Sequence, residues 1–169
     1  MDEEALLRAA GLTMRQACAS DLEALVALRI AAMRDSLERV GRFDETRARE
    51  RLTRDFSPQR TTCYLHQEAI VAFAVTAREG QELVLKHLYV HPRFQQHGIG
   101  TLALSRVIAE AAEEGRPIRL LALKESRANR FYLANGFRLV GSDQYDNIYI
   151  RPLPPLVAGR VSEESEPPE

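Results

Sequence analysis

The chain has 169 residues, of which 45% are hydrophobic and 28% are charged. This length and composition suit one globular domain with a sizeable core, and leave little room for a second domain. The formal net charge of −1 provides no overall attraction to nucleic acid or to an anionic membrane, so we expect neither as a partner. Arg47, Arg49, Arg51 and Arg54 cluster, but the acidic residues between them indicate a solvated helix face and not a basic patch.

Cysteine content and hydropathy favour a cytoplasmic protein. Cys18 and Cys63 lack the spacing of metal ligands, so we expect no metal, and no charged-then-apolar signal segment opens the chain. No apolar run approaches the roughly 18 residues that a membrane helix needs. Residues 152–169 are rich in proline and glutamate, and we predict a disordered tail there, after a domain that covers residues 1–151.

The first half of the chain predicts one strand, two helices and a three-strand meander. Ser20 begins the first helix, with Glu23 three positions later to complete a capping box. Arg29 is the charged residue on the apolar stripe of this helix, and its position is typical of a side chain that reaches out to water. The elements predicted in this half are a strand at 12–17, helices from 20 and over 46–56, and strands at 61–66, 69–77 and 82–90.

The second half of the chain predicts alternating helices and strands. A helix over 101–114 has one apolar face and stops at Gly115. The apolar run 118–123 suits a strand that is buried on both faces. A short helix that Ser126 caps, and strands at 137–141 and 145–150, complete the order. We therefore predict a single-domain α/β (α+β) fold with a mixed sheet of about seven strands and helices on both faces.

A glycine turn lies between the strand over 82–90 and the helix that follows it. Within VHPRFQQHGIGTL, from Val90 to Leu102, Gly98 and Gly100 allow backbone N–H groups to turn inward without a Cβ in the way. The free N–H groups and the positive end of the helix dipole favour an anion at this point. The turn therefore predicts a phosphate-binding site.

Two motifs resemble the GNAT superfamily of N-acetyltransferases, over roughly Leu12 to Arg151. QQHGIG (95–100) fits the family pattern of Arg or Gln, two residues, Gly, any residue, then Gly or Ala. RFYLANGF (130–137) is similar to the family block in which a helix carrying a tyrosine precedes Gly-Phe. Neither motif is specific alone, but this order and spacing, with a βαβ unit between them, make a strong signal.

The resemblance implies acetyl-CoA as the acetyl donor. Backbone groups of the glycine turn would hold the pyrophosphate, and the main chain near the strand end would pair with the pantetheine arm like an added strand. The family's asparagine falls on Glu125 here, which leaves Asn129 as a substitute contact to the cofactor. The residues expected to bind acetyl-CoA are Leu88, Tyr89, Val90, Gln95, Gln96, His97, Gly98, Ile99, Gly100, Thr101 and Asn129.

The resemblance also implies catalytic roles. Tyr132 matches the tyrosine that protonates the departing thiolate, and we expect Phe131 to pack inward while Tyr132 points toward the cofactor. Glu82 and His87 are candidates for the general base, although a structural role suits His87 better; we expect His87 to share a strand face with Leu85 and Tyr89. Arg29 is a candidate contact to an acidic acceptor, because the first helix usually walls the acceptor site in this family.

Two other functions fit parts of the sequence. GIGTLA (98–103) also fits the dinucleotide fingerprint of an NAD-dependent oxidoreductase, but it comes in mid-chain and lacks the acidic residue that should follow. A GNAT fold that binds acyl-CoA without turnover is the other alternative. The expected partner is a small-molecule or peptide amine. Its identity is left open among proteins, polyamines, amino acids and antibiotics. A homodimer is compatible with the fold.

Overall fold

One mixed sheet lies at the centre of the computed structural model, which describes residues 2–154. The predicted tail falls largely outside these residues. The strands lie in the spatial order first, second, third, fourth, fifth, seventh, sixth. They are β1 (Thr13–Gln16), β2 (Thr61–His66), β3 (Ala69–Glu79), β4 (Glu82–Val90), β5 (Ile118–Leu123), β6 (Arg138–Ser142) and β7 (Asp146–Arg151).

Helices cover both faces of the sheet, as the sequence predicts. The helices of the described chain are α1 (Glu3–Ala9), α2 (Leu22–Arg39), α3 (Glu45–Asp55), α4 (Ile99–Glu114) and α5 (Ala128–Ala134). Ala74 of β3 packs in the core under α4 and α5, whereas its neighbours Phe73 and Val75 pack in the core under α2 and α3. Successive side chains of a strand point to opposite faces, so the two cores lie on the two sides of the sheet. The predicted α/β class is confirmed.

The N-terminal region differs from the prediction in two details. Helix α1 was not predicted; Asp2 caps it, accepting a hydrogen bond from the Ala5 amide at 2.7 Å. The predicted capping box of Ser20 and Glu23 is wrong, because a 3-10 turn over Ala19–Asp21 precedes α2. The carboxylate of Asp21 accepts from the Cys18 amide at 2.8 Å instead.

Strands β4 and β5 run parallel but stay paired over a short distance. Their register joins Leu83 to Ile118 and ends where Leu85 meets Leu120. Beyond that point the strands separate, and the side chain of Leu121 is 51% exposed. The prediction that this strand is buried on both faces is therefore wrong, because Arg119 and Leu121 lie on one face and are both exposed, whereas Ile118, Leu120 and Ala122 are buried.

A β-bulge in β4 changes which side chains share a face. Val75 pairs with His87 and Thr76 pairs with Leu85, so Lys86 has no register partner on β3. Leu85 packs under α4, whereas Tyr89 packs on the opposite face and lies 5.7 Å from the His87 ring, between ring centroids. The prediction that Leu85, His87 and Tyr89 share one face is wrong, since the extra residue reverses the alternation.

The sheet does not have the layout of a dinucleotide-binding fold. Its strands up to β4 are antiparallel, and the glycine turn follows the fourth strand. A dinucleotide fingerprint normally follows the first strand of a parallel, doubly wound sheet. Over residues 2–154, no helix is long and apolar enough to cross a membrane.

Candidate active site

The bulge and the strand separation expose one edge of β4. The His91 amide donates to the Val71 carbonyl of β3 at 2.8 Å, and the Leu83 amide donates to the Pro117 carbonyl beside β5 at 2.9 Å. Backbone groups alternate between the two sides of a strand, and the bulge shifts this alternation by one residue. The main-chain groups of Leu88 and Val90 therefore face the side from which β5 has departed.

The glycine turn ends at the same edge. Gly98 is the N-cap of α4 and has a φ of 80°, and no side chain caps the helix. The first intrahelical hydrogen bond runs from the Leu102 amide to the Gly98 carbonyl, so the amides of Ile99, Gly100 and Thr101 are free of helical partners. Gln95 braces the turn, because its Nε2 donates to the Val90 carbonyl at 3.0 Å.

A cleft of about 520 Å³ joins the open edge to the turn, and we call it the β4–β5 cleft. Its walls come from α2, the second half of β4, the turn, the end of β5 and the start of α5. The residues predicted from the sequence that line it are His87, Leu88, Tyr89, Val90, Gln95, Gln96, Gly98, Gly100, Thr101 and Tyr132. The predicted residues that do not line it are Arg29, Glu82, His97, Ile99 and Asn129.

Tyr132 lines the cleft and is also the more buried of the adjacent aromatic pair. Its ring packs 5.3 Å from the Phe137 ring, between centroids, and only 7% of the residue is exposed. Phe131 is half-buried and lies against Gly100, where an added Cβ would come 3.6 Å from Cζ of the ring. Tyr132 thus lines the cleft as expected, whereas Phe131, which was expected to pack inward, is the less buried of the two and lines the cleft as well. Burial raises the pKa of the Tyr132 hydroxyl, so it stays protonated.

Asn129 belongs to a structural network and not to the cleft. Its Nδ2 donates to the carbonyls of Leu123 and Ser126, both at 2.9 Å. Its Oδ1 accepts from the Tyr149 hydroxyl at 2.8 Å and from Asn147 at 2.9 Å. These contacts occupy the amide on both sides, which argues against a contact between Asn129 and the cofactor.

The two candidate bases lie in unfavourable places. Glu82 begins β4, and a rise of about 3.3 Å per residue places it roughly 20 Å from Leu88. Its carboxylate lies 3.7 Å from Arg119. His87 is 5% exposed; its Nε2 lies 2.8 Å from the Asp55 carboxylate, and its Nδ1 is buried without a partner. Burial lowers the pKa of His87, so the ring is neutral near pH 7. This geometry favours a structural role for His87.

Arg29 is buried and does not reach water. Only 4% of the residue is exposed, its Nη1 donates to the Ala48 carbonyl at 2.7 Å, and its Nε donates to the Tyr89 hydroxyl at 3.3 Å. The interpretation that Arg29 extends to solvent is therefore wrong. The guanidinium fastens α3 to α2 and orients Tyr89 at the wall of the cleft.

A second cavity of about 620 Å³ lies between α3 and the turn that joins β6 to β7. Arg47, Arg51 and Arg54 line it from one face of α3, and Arg42 lines it from the α2–α3 loop, so we call it the arginine groove. Arg49 points elsewhere and binds Glu23 at 2.6 Å. Arg47, Arg49 and Arg54 are exposed and Arg51 is half-buried, so the interpretation of the cluster as a solvated helix face is confirmed, and the groove is open to solvent.

Sequence reasoning missed part of both cavities. The end of α2 contributes Met33, Ser36 and Arg39 to the β4–β5 cleft, and Asp146 lines the arginine groove. Asp146 is half-buried, and burial together with the nearby Asp143 raises the pKa of its carboxyl. The signal for Asp146 in the sequence was weak, because it is one of several polar residues in the segment between two strands.

Solved structures share this fold. The N-acetyltransferase PaiA of Thermoplasma acidophilum, in complex with coenzyme A, is 16% identical with a TM-score of 0.70, and the match covers 83% of this chain and 98% of that one. The ribosomal-protein-S18-alanine N-acetyltransferase of Escherichia coli is 19% identical with a TM-score of 0.63, covering 82% and 91%. A GNAT-like decarboxylase in complex with isobutyryl-CoA is 22% identical with a TM-score of 0.65, covering 84% and 100%. Two acetyltransferases and a decarboxylase thus share the fold of this chain.

A family model matches part of the sequence. Residues 58–139 match the model of the acetyltransferase (GNAT) domain, a range that includes the meander, the glycine turn and Tyr132. This match confirms the resemblance stated from the motifs of the chain. No curated protein sequence gives a significant match.

Proposed function

We propose that the protein transfers an acetyl group from acetyl-CoA directly to an amine acceptor. One observation carries the proposal: the open edge of β4 and the uncapped start of α4 meet in a single cleft. An open strand edge suits an extended amide-bearing arm, and free helix amides suit a pyrophosphate. Coenzyme A carries both groups, and two of the similar solved structures hold coenzyme A or an acyl-CoA.

The main chain of Leu88 and Val90 supports both binding and chemistry in this proposal. Its outward groups would pair with the pantetheine arm, and an N–H group there would donate to the thioester oxygen as negative charge develops on it. Such preorganised backbone donors lower the barrier of acyl transfer because they need no reorganisation during the reaction. The amides of Ile99, Gly100 and Thr101 would hold the pyrophosphate.

The chemical step exchanges one bond for another. The neutral amine nitrogen attacks the thioester carbonyl carbon and forms the amide C–N bond, the C–S bond breaks, and its electron pair remains on sulfur. The nitrogen loses one proton and the thiolate gains one, so the products are the N-acetyl compound and the free thiol. Tyr132 would donate a hydrogen bond to the departing sulfur in this proposal, which is supported by its position in the cleft wall and by its protonated hydroxyl.

Calorimetry and a thiol assay test the proposal together. The full chain is titrated with acetyl-CoA and, separately, with NAD, and free thiol is then measured in the presence of a panel of amines. We expect binding of acetyl-CoA, no binding of NAD, and thiol release that depends on an amine. Binding of NAD without acetyl-CoA would contradict the proposal. Tight acetyl-CoA binding without turnover of any amine would favour the alternative of a non-catalytic acyl-CoA-binding module.

A further inference from the structure

The arginine groove borders the β4–β5 cleft. Leu123, the last residue of β5, lines the cleft, and its register partner Asp146 on β7 lines the groove. Partners in an antiparallel pair lie about 5 Å apart, so the two cavities meet at the end of β5. Arg54 lines the groove beside Asp55, which binds His87 at the cleft wall. An acceptor in the groove would therefore have a short path to the open edge of β4.

The groove presents cationic side chains that are available to a ligand. Within residues 2–154, no carboxylate lies within 4.0 Å of the guanidinium of Arg42, Arg47 or Arg51. Arg42 stacks on the Tyr145 ring, 3.4 Å from its centroid, and so links the α2–α3 loop to the β6–β7 turn. Guanidinium groups bind carboxylates through paired, charge-assisted hydrogen bonds. Glu50 and Asp143 also line the groove, which with Asp146 makes four arginines and three carboxylates, so a polyamine would meet a net positive charge.

Asp146 is the acidic group where the groove meets the cleft. Arg42 and Arg51 lie close enough to influence its titration, together with Lys124 and Asp143. A half-buried carboxylate at this junction favours an ammonium group, whereas the arginines farther along α3 favour anions. Asp143 and Asp146 lie on the β6–β7 side of the groove, and α3 contributes three arginines and Glu50, so the net charge along the helix is positive.

We propose that the acceptor is an acidic peptide amine, whose amino group lies at Asp146 and whose carboxylate side chains bind Arg47 and Arg51. This inference rests on the proposed acetyl transfer and names its acceptor class. The volume of about 620 Å³ is several times that of one amino acid, which suits a segment of two or three residues. The charge pattern disfavours polyamines and basic peptides.

Three peptides of matched length test the acceptor class. The amidated tripeptides Ala-Glu-Glu, Ala-Gln-Gln and Ala-Arg-Arg share the same amino terminus, and spermidine serves as the polyamine. We measure kcat/KM by thiol release, with acetyl-CoA affinity measured by calorimetry on the same protein. The acidic peptide should exceed the neutral one by about tenfold or more, and the basic peptide and spermidine should fall below both.

Variants on α3 then test whether the arginine groove is the source of the preference for the acidic peptide. Arg51→Gln should reduce the preference for the acidic peptide about tenfold, and Arg51→Glu should reverse it in favour of the basic peptide. Arg49→Gln is the matched control: the same residue type on the same helix, bound to Glu23 outside the groove, and it should keep the wild-type preference.

The outcomes separate this inference from the proposed function. Equal rates for the three peptides, or faster reaction of the basic peptide or spermidine, would overturn the acidic acceptor while leaving acetyl transfer standing. An acidic preference that survives Arg51→Glu would also overturn it, because the groove would not be the source. Failure to bind acetyl-CoA would remove both proposals.

Discussion

At the residue scale, we predict that Tyr132 supplies the proton to the departing sulfur. Tyr132→Phe keeps the ring packing against Phe137 and removes the hydroxyl alone. We expect kcat to fall about 100-fold, the lower end of what general acid assistance contributes, with little change in acetyl-CoA affinity. Rapid-mixing kinetics and calorimetry measure the two quantities. An unchanged kcat, with chemistry shown to limit turnover, would take Tyr132 out of the mechanism.

The proton that leaves the amine has a candidate acceptor in Asp146. Its pKa is raised by burial and by Asp143, while Arg42, Arg51 and Lys124 oppose that shift. Above this raised pKa the carboxylate takes the proton from a bound ammonium, and the wild-type rate stays level as pH falls toward that value. With Asp146→Asn the amine must arrive neutral, so kcat/KM should fall about tenfold for each pH unit below the amine pKa of about 8.

The pH profile of Asp146→Asn distinguishes catalysis from structure. A proton acceptor predicts a large loss of kcat/KM at pH 6.5 and a small loss at pH 8.5. Loss of a structural contact predicts a similar loss at both. The folded state holds the proton on Asp146 more tightly than the unfolded state, so its carboxylate reduces stability as pH rises through the raised pKa. The variant should therefore be at least as stable as wild type at pH 8.

Side-chain environments were the part of the site that the sequence predicted least well. The glycine turn was predicted because its residues are contiguous and their spacing has a physical reason, whereas Tyr132 was assigned because its contiguous block resembles that of the family. Arg29, Asn129 and Asp146 take their roles from partners far along the chain; Arg29, for example, meets Ala48 and Tyr89. Helical periodicity places a residue on a face of the helix but does not reveal which hydrogen-bond partner from another element lies against that face.

At the element scale, substitutions of the two glycines at the ends of α4 distinguish an effect on stability from an effect on acetyl-CoA binding. Gly98 and Gly115 have φ angles of 80° and 65°, and no atom lies within 4 Å of an added Cβ at either. Alanine at either position should cost about 1–2 kcal/mol of unfolding free energy, because the left-handed conformation strains an L residue. Gly98→Ala alone should also weaken acetyl-CoA binding, since its methyl group would enter the proposed pyrophosphate-binding site.

Gly115→Ala serves as the control for Gly98→Ala. Urea unfolding gives the stability of each variant, and calorimetry gives its affinity for acetyl-CoA. Equal loss of affinity in both variants would mean that the effect comes from weakening of the helix. Unchanged affinity in Gly98→Ala would place the pyrophosphate elsewhere.

Regular elements were predictable where periodicity is local. The hairpin of β2 and β3 and the length of β4 follow from alternation and turn residues, and α5 follows from its stop at Asn135 and Gly136. The bulge at Lys86 and the early end of the β4–β5 pairing were not predictable from the sequence, because both depend on register with other strands. Register is a tertiary property, and it decides which groups of β4 face the cleft.

Ligand binding should be visible in the stability of the whole molecule. The β4–β5 cleft joins α2, β4, α4, β5 and α5, so a ligand there contacts both sides of the sheet opening. At acetyl-CoA concentrations about 100 times Kd, the folded state should gain about 2.7 kcal/mol, or roughly 5–10 °C in Tm. Differential scanning calorimetry measures the shift, with NAD at equal concentration as the control. An equal shift with NAD would argue against a site selective for coenzyme A.

The extra residue in β4 makes the active site depend on the number of residues in this strand. Leu83 and Leu88 are separated by an odd step along the chain, so in an unbroken strand their amides would face opposite neighbours. The unpaired Lys86 brings both amides to the same side. Side chains at Leu88 and Val90 could thus be exchanged for other strand formers with modest effect, whereas deletion of Lys86 alone would turn their amides toward β3 and present those of His87 and Tyr89 at the open edge instead. Function at this strand is set by how many residues it contains more than by which ones they are.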